Sequence, residues 1–168
     1  SSSMPTGAAS YNQLRVVTSS TTFADVYKSY SDTACSSEMA YLVIGYTDVT
    51  IGDDVTGLTT GNASIGTTGT KATAKQYCSK GKGTTDAGTT WLNTFTSGSG
   101  NTYVTGEEKI SGASGTTYYY LWHSDNSSNS QVGTSGYQAY LGNVWRSRSS
   151  SSAYPTDWTD GGVDAFQR

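Results

Sequence analysis

The chain has 168 residues, the size of one ordinary domain, and a net charge of −3 from 10 basic and 13 acidic side chains. Ser (26), Thr (27) and Gly (20) dominate, while Leu, Ile, Val and Phe together number only 23, so a core has to be built from the 20 aromatic rings. Dispersed basic residues and the lack of any long apolar run argue against a nucleic-acid binder, a long coiled coil and membrane insertion.

Residues 1–10, opening Ser1-Ser2-Ser3-Met4, read as a flexible N-terminal segment or a vector-derived scar. Leu14-Arg15-Val16-Val17-Thr18 reads as a short strand. Phe23, Val26, Tyr27 and Tyr30 then fall at i, i+3, i+4 and i+7 behind Thr21 and Thr22, which predicts one short helix near 22–31. Tyr41-Leu42-Val43-Ile44-Gly45-Tyr46 is the most apolar run and predicts a central strand covered on both faces. Val49 and Ile51 alternate beyond it, and Gly52-Asp53-Asp54 signals a turn. The stretch 56–70, nearly all small and polar, fits either a loop or flat strands. Further strands are expected at 72–78, 90–95, 103–110, 117–124, 137–146 and 163–166, with hairpin connections at 97–101 and 111–115. The serine run 147–152 reads as a linker to a C-terminal arm. The expected fold is all-β, mainly an antiparallel sandwich or barrel, with a β domain over 11–146 and a linker and arm over 147–168.

Cys35 and Cys78 lack a CxxC pattern, and a single histidine leaves no zinc set. Bridged, they would close a loop of about 43 residues, worth about 4 kcal/mol on a chain-entropy model. The expectation is a disulfide, in keeping with an extracellular composition.

Candidate chemistry is sparse. Glu107 and Glu108 are adjacent, so in a strand they point to opposite faces and cannot flank one bond. His123 has no nucleophile or acid at a recognisable spacing. Lys80-Gly81-Lys82-Gly83-Thr84 lacks the phosphate-loop frame and reads as an exposed basic loop. No cofactor or metal is implied, and the reading is non-enzymatic. Thr84-Thr85-Asp86-Ala87-Gly88-Thr89-Thr90-Trp91 resembles the Asp-box of sialidases and other secreted β-proteins. That resemblance implies a hairpin over 84–96. In it Asp86 would accept turn amides, Gly88 would take positive φ, and Trp91 would pack beneath.

Aromatic rings are the unusual resource. Tyr118, Tyr120 and Trp122 share one strand face, and Tyr137, Leu141 and Trp145 share another. Trp122, Trp145, Tyr154 and Trp158 are the candidate aromatic contacts, because exposed rings suit sugar stacking or a protein interface. The Tyr118-Tyr119-Tyr120-Leu121-Trp122 strand, a polar loop, and Gly136-Tyr137-Gln138-Ala139-Tyr140-Leu141-Gly142-Asn143-Val144-Trp145-Arg146 follow a familiar rhythm. It resembles β modules of the fibre and decoration class in tailed-bacteriophage virions, over about 30 residues. The resemblance implies a structural or adhesive protein of an assembled particle, extracellular or on a virion surface, that self-assembles or binds other particle subunits. Two alternatives stand beside it: a secreted filament or pilus subunit joined by strand exchange, and a carbohydrate-binding module for a cell-surface glycan.

Overall fold

The computed structural model describes residues 4–59, 67–112, 115–125, 144–150, 153–156 and 164–166. These form an all-β fold: β1 (Ser10–Ser19), β2 (Thr22–Tyr30), β3 (Glu38–Val55), β4 (Gly69–Gly83), β5 (Glu108–Ser111), β6 (Thr117–Asp125), β7 (Val144–Ser150) and β8 (Asp164–Phe166), with one α-helix, α1 (Asp86–Phe95), between β4 and β5. All eight strands belong to one sheet ordered β1-β2-β3-β4-β6-β7-β8, and β5 also pairs with β4. Every pairing is antiparallel. β5 and β6 lie end to end along β4, the first on residues 79–82 and the second on 70–75.

The sheet curls strongly. Arg15 on β1 and Tyr120 on β6 are four strand spacings apart, about 19 Å in a flat sheet. The Arg15 guanidinium nevertheless lies 5.5 Å from the Tyr120 and Trp122 ring centroids. At the far end, Cα atoms of β8 come within 8 Å of those of β1. The sheet therefore wraps around its own inner face as a barrel does. Register shifts along β3–β4, between Gly45 and Tyr46, Thr47 and Thr50, and Ile51 and Asp54, supply bends that such curvature requires. At one of them Asp48 takes φ +54°, a left-handed value that short acidic side chains tolerate.

Two clusters fill the inside. Toward one end, Phe23, Tyr46, Tyr120 and Trp122 pack over Ala72 and Ala74, whose small side chains make room for the rings. Phe23 stacks on Tyr46 at 4.6 Å and meets Trp122 edge-on at 5.7 Å. Toward the other end, α1 lays Trp91 and Leu92 against Tyr27, Leu42 and Tyr103.

The helix falls at 86–95 and not near 22–31. Phe23, Asp25, Tyr27 and Ser29 are buried at every second position, so 22–30 runs as a strand between β1 and β3. Two flanking ladders outweigh a helical spacing that β-branched and aromatic residues support only weakly. The expected hairpin at 84–96 is the helix. Thr85 caps it, accepting from the Gly88 amide at 3.1 Å. Asp86 accepts from Thr105 Oγ1 at 2.8 Å rather than from turn amides. Gly88 is required for closeness, since a Cβ there would sit 2.0 Å from the Met39 carbonyl oxygen. The strand expected at 90–95 is lost with the hairpin.

Three further expectations change. Ser147–Ser150, read as linker, form the end of β7, and 164–166, read as part of an arm, pair with β7 as β8. The segment 1–10 is tied down at its end, where the Ala9 amide donates to Tyr30 and Ser10 enters β1. Lys80-Gly81-Lys82-Gly83 is strand and not loop. Its glycines face inward, where a Cβ on Gly81 would meet Tyr103 at 2.8 Å and one on Gly83 would meet Thr89 at 2.1 Å.

The disulfide is absent: Cys35 and Cys78 are both free thiols. Cys35 lies in the β2–β3 turn, beside the Glu38 end of β3. Cys78 pairs with Gly45, seven residues along that strand, roughly 23 Å away. A bridge needs Cα atoms within about 7 Å. The support that a disulfide lent to an extracellular location goes with it.

Candidate functional site

The expected aromatic contacts scatter. Trp122 is only 8% exposed and turns into the interior, so it offers no ring face to a ligand. Tyr154 is half-buried on the outside of the sheet, edge-on to Tyr119 at 5.1 Å with Lys71 Nζ 5.2 Å from its ring. Trp145 pairs through its backbone with Ser124 and Phe166, and its side chain lies outside the described residues, as does Trp158. Asp86, Gly88 and Trp91 are absorbed by α1 and its seat. The 137–143 half of the expected aromatic strand also lies outside the described residues.

Two arrangements that the sequence did not single out stand in their place. The first is internal. Arg15 and Asp25 are opposed in register on β1 and β2 and form a bidentate pair, Nε to Oδ1 at 2.7 Å and Nη2 to Oδ2 at 2.8 Å. Phe23 stacks under the guanidinium at 4.4 Å. Burial opposes the Arg15 charge, but the hydrogen bond and charge of Asp25 outweigh it and raise its pKa. Burial also raises the hydroxyls of Tyr46 and Tyr120 well above the usual tyrosine range, and the two rings meet edge-on at 6.3 Å. Arg15 and Asp25 hold each other by these two hydrogen bonds inside a ring-filled space. Their role is to hold the curl.

The second arrangement is the outer face. Arg15 points in, so its neighbours Leu14 and Val16 point out, opposite to what an apolar-in alternation would give. Leu14 opposes Val26, Val26 opposes Val43, Val43 opposes Lys80 and Lys80 opposes Ile110, one row across five strands. Val16, 45% exposed, begins the next row. There Tyr77 folds over Gly45, where a Cβ would touch its ring at 2.8 Å. Ile110 is 68% exposed. The row on the other side is polar: Lys28, Tyr41, Lys82 and Glu108. Lys80 pairs with Glu108 at 2.9 Å, and Tyr41 donates to the same carboxylate. The Glu108 pKa is lowered, first by Tyr41 and then by Lys80, while burial and Glu108 push Tyr41 up to about 12. The result is a partly exposed apolar stripe, crossed by Lys80 and bordered by a polar row, the composition of a contact surface.

Among the described residues no group of three or more His, Cys, Asp or Glu is placed to hold a metal ion, and no helix is long and apolar enough to cross a membrane. The molecule that fold and surface define is a curled antiparallel β-sheet, filled with aromatic rings, braced by one helix and apolar along part of its outside. Compared with protein-family models and with curated proteins, the chain matches none.

Proposed function

We propose that this chain is a non-enzymatic structural protein, a subunit of an assembled particle that meets further copies of itself through the outer face of β1–β5. The observation that carries the reading is the outer-face stripe of Leu14, Val16, Val26, Val43, Tyr77 and Ile110, in which Val16, Tyr77 and Ile110 are exposed and the other three half-buried, apolar surface that a solitary domain gains nothing by showing to water. The filled interior supports it as well. Rings and the Arg15–Asp25 pair occupy the inner face, where a barrel that carries ligands keeps space.

Light scattering after size exclusion tests this. A discrete species at a multiple of 17.7 kDa is expected, falling to a smaller species when Leu14 and Val26 are both changed to Lys. Polydisperse polymers would favour a strand-exchange filament. A monomer at high concentration would overturn the reading.

A further inference from the structure

β5 has a partner on one side only. It pairs with β4 through Glu108, Lys109, Ile110 and Ser111, and among the described residues nothing pairs with its other edge. Among the described residues β7 pairs β6 as far as Tyr119–Ser150, which leaves a step one strand deep at β5. Its inner side is closed by the segment before it, where Lys109 Nζ donates to the Thr102 carbonyl at 3.1 Å and Ser111 bonds Asn101. An open edge with unpaired backbone groups is a template for another strand.

We infer that β5 of a second copy fills this step, antiparallel and about a two-fold axis, with Ile110 directly opposite Ile110 of the other copy. The inference deepens the assembly reading and rests on it. Residues directly opposed in an antiparallel pair share a face, so a two-fold pairing must centre on one residue type. Centring on Lys109 sets two ammonium groups against each other and Glu108 against Ile110. Centring on Ile110 sets Ile110 on Ile110, Lys109 on Ser111 and Glu108 on Gly112, with no like charges opposed. Only this second register extends the outer row: Leu14, Val26, Val43, Lys80 and Ile110 continue into the same five residues in reverse. The two outer rows then join through the Ile110 pair, with Lys80 of each copy flanking it.

The test uses the full chain with Cys35 and Cys78 changed to Ser, carrying one new cysteine. Ile110→Cys lies on the axis, within disulfide reach of its own copy. Glu108→Cys, on the same face, lies roughly 14 Å from its own copy. Under mild oxidation Ile110→Cys is expected to give a dimer on a non-reducing gel in at least tenfold greater yield than Glu108→Cys. Equal yields would overturn the inference. So would no dimer from Ile110→Cys while light scattering still shows an oligomer, and that result would leave the assembly reading standing. A monomer by light scattering together with no crosslink would overturn both.

Discussion

Arg15 and Asp25, ten residues apart in sequence, meet in register inside the sheet as a bidentate pair with the guanidinium over the Phe23 ring. Removing one partner leaves an uncompensated buried charge, which costs about 3–5 kcal/mol, while replacing both with apolar groups of similar size can be close to neutral. Urea unfolding should therefore show Arg15→Met strongly destabilised and Arg15→Met/Asp25→Leu largely restored. A double variant as weak as the sum of the two single ones would contradict this account.

Gly88 tests the seating of α1 on β3. Alanine normally gains about 1 kcal/mol over glycine within a helix. Here its Cβ would enter the Met39 carbonyl, so Gly88→Ala should instead destabilise by about 1–3 kcal/mol. Thermal melts followed by circular dichroism decide the sign.

Thr85 separates helix from hairpin. As N-cap its hydroxyl holds the Gly88 amide, and Thr85→Ala should lose about 1 kcal/mol that Thr85→Ser largely retains. If 84–96 were a hairpin, Thr85→Ala would leave the helical signal untouched.

Asp32 gives the fold a dependence on acid. The Ser36 amide and Ser37 are the main hydrogen-bond donors to its carboxylate, with the Ser36 hydroxyl adding to them, and they hold its pKa well below the ordinary 3.8. A depressed carboxylate contributes stability that is complete above its unfolded pKa and is lost as pH falls through the folded one. Melting temperature should thus decline below about pH 4. In Asp32→Asn that part of the decline should be missing.

The cysteines make a simple chemical prediction. Both thiols should react with a thiol reagent without prior reduction, Cys35 rapidly because it is exposed and Cys78 more slowly because it is half-buried. Finding no free thiol in the unfolded, unreduced chain would contradict the structure.

The sequence by itself determined the class of the fold. Few aliphatics, many rings and Gly- and Ser-rich turns left an antiparallel sheet with an aromatic core as the way to bury enough surface. The central strand at Tyr41–Tyr46 and the strand at 117–124 were legible because their patterns belong to the strands themselves, although the first is covered on its inner face alone, with Tyr41 and Val43 half-buried on the outer one. Tertiary structure decided everything that depends on a distant partner. Residues 22–30 carry a helical spacing, yet β1 and β3 make them a strand. Residues 84–96 carry a hairpin motif, yet the carbonyl of Met39 receives the amides of Thr84 and Thr85, and the space above Ala40 receives the helix. Leu14 and Val16 face outward because Arg15, across the curled interior, finds both an anion and three aromatic faces. Local patterning cannot register that exchange. The buried pair becomes favourable only once the curl brings β6 over β1, and the same event turns the apolar row to the outside.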